Sequence, residues 1–273
     1  MNVGRLAENF LPPRATEAPP ELGPTQERIV PGKTHEALFR EHEERYAFAG
    51  RYVCGKDVLD VACGTGVGTS FLRQAGARHV WGLDLDPGAI AFAKAKYGDC
   101  EFAQGNATDL FLPDSSVDVV VSFETLEHLE EGDQRKFLRE CRRVLRPGGT
   151  LICSTPNTTL YRWYGKNPFH RREYTTHEFA SLLAAYFVGL ALFYQSEKIF
   201  PLVVVRRLSV RSLELLRLKE PVKTILGMQR RPLQMRREFS RGGESTIREI
   251  PRYQSTWLRQ PTFVVAVCRK TLE

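Results

Sequence analysis

From Asp57 onward, short apolar runs alternate with amphipathic stretches, and this alternation most constrains the fold. Strands are expected at Val58–Val61, His79–Leu83, Glu101–Gln104, Val117–Phe123, Thr150–Ser154, Val188–Tyr194 and Thr262–Cys268. Between them lie helical patterns: one through Leu72, one opening after Pro87, one opening at Asp133 and stopped by Pro147-Gly148-Gly149, and one from Thr175 or Thr176 to Tyr186. Strands that are apolar along their whole length and separated by helices imply a parallel sheet covered on both faces. The expected class is therefore α/β.

The organisation around this core follows from composition. Residues 1–25 hold five of the sixteen prolines without apolar periodicity and read as an extended arm. Residues 26–52 carry a helical pattern over Thr34 to Gly50 and form an N-terminal cap, 53–195 the core, 196–260 an insertion, and 261–273 the last strand. Between Arg206 and Arg241 eleven Lys/Arg face three Glu, a local +8 in a chain whose total is +7. A basic insertion on a near-neutral body suits an anionic partner: a phosphorylated or glycan-type acceptor, an acidic membrane surface, or, less well, nucleic acid, for which no binding module is visible. The longest uncharged apolar stretch, Phe179 to Tyr194, is 16 residues and falls short of a membrane span. The start lacks a signal-peptide core, and the six cysteines form no C-x-x-C pair. The expected location is cytoplasmic, with peripheral contact at the inner membrane face as an extension of the basic segment. Oligomeric state is left open.

The first strand runs into Asp60-Val61-Ala62-Cys63-Gly64-Thr65-Gly66-Val67-Gly68. Glycines at a strand-to-helix turn let a ligand approach the backbone, and the helix start behind them offers free N–H groups. Asp60, before the glycines, suits a cationic or amine-bearing ligand and would repel a pyrophosphate. Asp84 ends the second strand twenty residues past Gly64, where a carboxylate accepts from ribose hydroxyls. The ligand these residues imply is a nucleoside bearing a positive group. The glycine spacing also departs from G-x-G-x-x-G, which counts against a nicotinamide oxidoreductase.

Asp-x-x-Cys-Gly-Thr-Gly followed by Gly-Leu-Asp-Leu-Asp-Pro resembles the class I S-adenosylmethionine-dependent methyltransferases. Gln104-Gly105-Asn106-Ala107, the strand Val117–Ser122 and the turn Leu145-Arg146-Pro147-Gly148-Gly149 extend the resemblance over about residues 53–194 and the last strand. It implies a Rossmann-like seven-stranded sheet with helices on both faces and the last strand antiparallel. It also implies S-adenosyl-L-methionine as cofactor. Carried over by position, Asp60 and Gly64 lie beside the methionine portion, with Thr65 and Gly66 in the loop. Asp84 and Leu85 attend the ribose, Asn106 and Ala107 the adenine edge, and Ser122 and Phe123 close over the methionine portion.

After the fourth strand comes Glu124-Thr125-Leu126-Glu127-His128. Positions i, i+3 and i+4 of a helical turn share one face, so two carboxylates and an imidazole can converge at the ligand end of the sheet. Glu124, Glu127 and His128, with His170 from the loop after the fifth strand, make a candidate site for Mg2+ or another divalent cation. This arrangement resembles small-RNA 2′-O-methyltransferases and ubiquinone-biosynthesis O-methyltransferases, both acting on vicinal oxygens. A leaner alternative uses His128 as general base oriented by Glu127, without metal. His35 and His42 are expected at the surface. The leading expectation is an O-methyltransferase on a hydroxylated small-molecule or glycan-type acceptor. The alternatives are an N-methyltransferase on an amino sugar or similar amine and an RNA-end 2′-O-methyltransferase.

Overall fold

The computed structural model describes residues 29–159, 167–199, 248–249 and 259–272. The proline-rich arm and the basic segment at 206–241 lie outside the described residues. All seven expected strands are present: β1 (Asp57–Val61), β2 (His79–Asp84), β3 (Glu101–Gln104), β4 (Val117–Phe123), β5 (Leu145–Pro156), β6 (Val188–Ile199) and, last in the chain, β8 (Arg259–Arg269). A two-residue strand, β7 (Arg248–Glu249), adds an edge by pairing with Phe193 and Tyr194.

The sheet order is β3-β2-β1-β4-β5-β8-β6-β7. Strands β3 through β5 are parallel, and β8 runs antiparallel to both β5 and β6. After β1 the chain moves outward to β2 and β3, then returns to lay β4 on the other side of β1. The strand order therefore reverses at β1/β4, and a crevice opens above the carboxyl ends of these strands.

Helices cover both faces. On one, α1 (Glu36–Ala49) and α2 (Val67–Gln74) bring Phe48, Phe71 and Leu72 onto Val58, Val119 and Val121. On the other, α4 (Glu131–Val144) and α5 (Thr176–Ala184) bring Phe137, Leu138 and Phe179 onto Leu59, Val120 and Leu151. Helix α3 (Pro87–Lys96) packs Ile90 and Ala93 against Val67 and Phe102. Alternate residues of β1 thus serve different faces: Leu59 and Val61 point to α4 and α5, and Val58 and Asp60 to α1 and α2.

Local sequence accounts for the helix ends. Asp86 caps α3 by accepting from the Ala89 N–H at 2.9 Å, with Pro87 as the first helical residue. Thr175 and Glu178 form a reciprocal capping box on α5. Helix α4 begins at Glu131, two residues before the Asp133 start read from the sequence, and Asp133 sits in its acidic first turn paired with Lys136. Strand β5 begins earlier than expected because Leu145 pairs with Val117 before the register shifts; Gly148 (φ 74) lies within this stretch.

Helix α1 is fastened at two points. Buried Arg45 donates from Nη1 to Gln195 Oε1 (2.8 Å) and stacks over the Phe263 ring at 4.5 Å, while Gln195 donates back to the Glu41 carbonyl (2.9 Å) and to Glu44 (2.8 Å). One residue on, the Tyr46 ring lies on Gly68 of α2, so closely that any Cβ at Gly68 would overlap the ring. Gly68→Ala is therefore expected to push α1 off α2 and destabilise the fold by about 1–3 kcal/mol. Gly98→Ala, where an added Cβ meets nothing within 4 Å, should leave stability nearly unchanged. Urea denaturation of both variants checks this, and equal midpoints would refute the close contact.

Candidate active site

The crevice holds a cavity of about 620 Å³, a size that suits a small-molecule ligand. Its floor is the loop between β1 and α2. Ala62 (φ 60), Gly64 (φ 55) and Gly66 (φ 78) take left-handed backbone conformations in succession, which turns the chain sharply over the sheet. At Gly66 there is a second requirement, since a Cβ would come within 2.8 Å of Ala93 and Phe102. Asp84 fixes the loop: Oδ2 accepts from the Gly64 N–H at 2.8 Å and Oδ1 from the Asp86 N–H at 2.9 Å. The half-buried Asp84 carboxylate also lines the cavity, beside the largely exposed side chain of Leu85. Thr65 lines the same floor and donates to the Ile29 carbonyl at 2.8 Å, drawing the segment before α1 across the loop.

Behind one wall lies Asp60, with no solvent exposure. Its carboxylate accepts from the Tyr46 hydroxyl (3.1 and 3.2 Å to the two oxygens) and from the Thr69 hydroxyl (2.7 Å). Burial pushes this carboxyl up to about 7, with the two hydroxyls pulling the other way and the charge of Asp84 adding to the rise. Tyr46 forms the wall itself, its ring edge-on to Phe123 at 5.0 Å. His42, one turn earlier on α1, lines the cavity too and lies 6.0 Å from the Tyr46 ring, centroid to centroid. Burial, and then the nearby Arg45 guanidinium, hold His42 well below the usual imidazole range, so it is neutral.

The opposite wall follows β4. Ser122 is buried and donates to Thr125 at 2.9 Å. Glu124 has a left-handed backbone (φ 53), which costs on the order of 1–3 kcal/mol at a residue with a side chain. Its carboxylate accepts from the Ser154 hydroxyl at 2.6 Å. A short 3-10 turn, Leu126–His128, then folds Glu127 inward and His128 toward the cavity. Glu127 is fully buried: Oε2 accepts from Thr155 (3.2 Å), while Oε1 has no partner. Burial, reinforced by the charge of Glu124, pushes its carboxyl well above the usual range. The Glu127 carbonyl accepts from the N–H groups of Arg171 (2.7 Å) and Arg172 (3.2 Å), which draws in the loop bearing His170.

Hydrogen bonds set the imidazole tautomers. His128 Nδ1 is 3.3 Å from the Phe169 carbonyl, an acceptor only, so the proton is on Nδ1 and Nε2 is the basic nitrogen. Asn167 accepts from the Phe169 N–H (3.0 Å), which aims its amide N–H at His170 Nε2 (3.0 Å). His170 Nδ1 then donates to Glu173 at 2.8 Å. The two rings stand edge to face at 5.0 Å. Glu127, His128 and His170 bring ligand-type atoms within 4.8 Å of one another; Glu124 is outside this group.

Gly64, Thr65, Asp84, Leu85, Phe123, Glu124 and His128 thus share the cavity wall. Asp60 and Ser122 stand one layer behind, Gly66 packs against α3, and Glu127 is buried beneath the 3-10 turn. Asn106 is exposed and outside the wall, its carboxamide oxygen accepting from the Thr108 N–H (2.9 Å) and hydroxyl (3.0 Å) in a local turn. Ala107 packs against the core instead. His42 corrects the surface expectation, and Tyr46 was not singled out as a site residue. The apolar face of α1 was the only signal for either.

The Asp60 carboxyl generates a stability prediction. In the folded protein it keeps its proton up to about pH 7, whereas unfolded aspartate releases it near pH 3.9. The folded state therefore binds more protons between these limits, so this group's contribution to stability falls as pH rises from about 4 to about 7. Asp60→Asn should remove that part of the slope, on the order of 4 kcal/mol at most. Glu127, shifted in the same direction, keeps a remainder. Denaturation curves between pH 5 and 8 should show the variant gaining on the parent; parallel curves would contradict the assignment.

Comparison with known proteins agrees with this geometry. Residues 59–153 match the methyltransferase domain family. A protein of Mycobacterium tuberculosis, described as a probable S-adenosylmethionine-dependent methyltransferase, is 41% identical over 197 residues, covering 70% of this chain and 71% of its own. A similarly described protein of Mycolicibacterium smegmatis is 43% identical over 169 residues, 60% of this chain and 65% of its own, so just under two thirds of that relative is spanned. A fatty-acid O-methyltransferase of the same species is 41% identical over 101 residues, 36% of each chain. Among solved structures, a methyltransferase of Thermotoga maritima shares the fold (TM-score 0.56, 18% identity, 86% of this chain and 94% of that one). The chain belongs to the S-adenosylmethionine-dependent methyltransferases.

Proposed function

We propose that this protein transfers a methyl group from S-adenosylmethionine to an oxygen of an acceptor with a lipid-like or glycan-type body. The observation that carries the oxygen reading is His128: it lines the cavity, and its bond to the Phe169 carbonyl makes Nε2 the basic nitrogen. A hydroxyl acceptor must lose its proton during transfer, whereas a neutral amine needs no base to attack. The apolar wall of Phe39, Phe71 and Phe123 suits an acceptor with hydrocarbon surface. The fatty-acid O-methyltransferase relative supports the same chemistry.

The cofactor supplies an activated methyl on a cationic sulfur. The cavity fits such a molecule in size, and Asp84 offers a carboxylate at the wall where sugar hydroxyls would be held. The positive-φ loop brings backbone rather than side chain to the floor. Glu124 and the neutral His42 leave the far wall without a fixed cation, which favours a positively charged reactant. The protein's remaining tasks are to hold acceptor and methyl in line and exclude water. Glu127, buried under the 3-10 turn, positions His128 through the backbone.

The three-residue cluster supports a second reading, with a divalent cation. Glu127 Oε1 lacks a partner, and His128 and His170 are close by. A cation there would relieve the repulsion between Glu127 and Glu124 and make an acceptor hydroxyl more acidic. His170 Nε2 would first have to exchange its bond from Asn167.

Asp84→Ala is expected to weaken S-adenosylmethionine binding at least about 10-fold by calorimetry, through loss of a carboxylate acceptor and of the Gly64 anchor. Unchanged affinity would remove Asp84 from the site. His128→Ala should lower turnover of labelled methyl into fatty acids or lipid-linked glycans by about 10²-fold or more. Full activity in EDTA would leave the base acting alone. Loss restored by Mg2+ would establish the cation.

A further inference from the structure

Asp60 is a buried acid without a counter-charge. Its carboxylate has no solvent access, and two hydroxyls are its hydrogen-bond partners among the described residues. One of those hydroxyls belongs to Tyr46, whose ring is cavity wall. The groups around the carboxyl come from every element packed on it. From α1 there are Tyr46, with His42 and Arg45 on the same helix. Thr69 comes from α2, Cys63 from the glycine loop, and Asp84 from the end of β2. None of them supplies Asp60 with a cation, since Arg45 is engaged by Gln195 and Phe263 and His42 is neutral.

We propose that Asp60 selects for charge in the cofactor: it releases its proton to solvent when a cationic group seats against Tyr46, and the resulting carboxylate then holds that group through the tyrosine. This rests on the cofactor reading of the cavity. The proton balance is simple, because the ligand arrives with its positive charge, Asp60–COOH becomes Asp60–COO⁻, and one H⁺ leaves for water. The Tyr46 hydroxyl, bonded at 3.1 and 3.2 Å, is already oriented to donate to the ionised form. Burial raises the empty protein's carboxyl to about 7, so the acid is half-protonated near neutral pH. Reciprocity follows: a ligand that ionises Asp60 binds more tightly as pH rises through that region. Two cations of the cofactor qualify, the sulfonium and the α-ammonium.

Calorimetry in phosphate and in Tris, whose heats of ionisation differ, counts the protons released on binding between pH 6 and 8. Three ligands separate the sources: S-adenosylmethionine carries both cations, S-adenosylhomocysteine only the ammonium, and 5′-methylthioadenosine neither. The proposal expects about half a proton released near pH 7 with S-adenosylmethionine and none with methylthioadenosine. Release with homocysteine as well assigns the ammonium; release with methionine alone assigns the sulfonium. Asp60→Asn should abolish the release and narrow the affinity gap between charged and uncharged ligands. Should that variant not fold, Tyr46→Phe serves: it deletes a bond that favours the ionised form, so the midpoint of proton release must move to higher pH. Equal proton counts for all three ligands, or a midpoint unmoved by Tyr46→Phe, would overturn the proposal. If none of the three binds, the cofactor reading itself fails.

Discussion

One carboxylate ties the site to the fold. Asp60 lies on the strand at the point where the sheet order reverses, and its two hydroxyl partners come from α1 and α2. Removing the carboxyl from water is costly, and only the two hydroxyls offset that cost. Tyr46 must therefore lie flat on Gly68, and α1 must approach α2 closely enough to become a wall of the cavity. The second fastening, Arg45 to Gln195 and Phe263, holds the same helix against β6 and β8. Between these anchors α1 spans the sheet from the cofactor side toward the acceptor side.

The cavity divides into two electrostatic regions. At the glycine loop, Asp84 stiffens the backbone through Gly64 and Asp86 while facing the ligand. Beyond Tyr46 and Phe123, acids and neutral imidazoles gather: Glu124 in a strained backbone, Glu127 with an unpartnered oxygen, and His42 kept uncharged. Strain and unsatisfied polar atoms concentrated at one place are characteristic of functional sites, where stability is given up for pre-organised chemistry. Their sign fits a reaction whose reactant is a cation.

The parts legible in the sequence were those governed by short-range rules. Strand and helix alternation, the glycine turn at Gly64, the carboxylate ending β2 and the capping residues of α3 and α5 depend on neighbours within a few positions. The parts that escaped depend on distant packing. Tyr46 meets Asp60 across fourteen positions and a change of element, and the helical pattern of α1 did not say which of its faces would line a cavity. The same blindness put His42 at the surface. Asn106 shows the converse: position suggested a ligand contact, but a two-residue turn with Thr108 takes up its amide oxygen. Nor does spacing reveal that Glu124 adopts a left-handed backbone, which separates it from Glu127 and His128 despite the i, i+3, i+4 pattern.

The most direct measurement is a crystal structure of the protein with S-adenosylhomocysteine. The account predicts electron density in the crevice above β1 and β4, with the ribose hydroxyls within hydrogen-bonding distance of Asp84 and the amino-acid tail directed to Tyr46. A ligand bound elsewhere on the chain, or one in the crevice whose sugar lies beyond about 3.5 Å of Asp84, would contradict it.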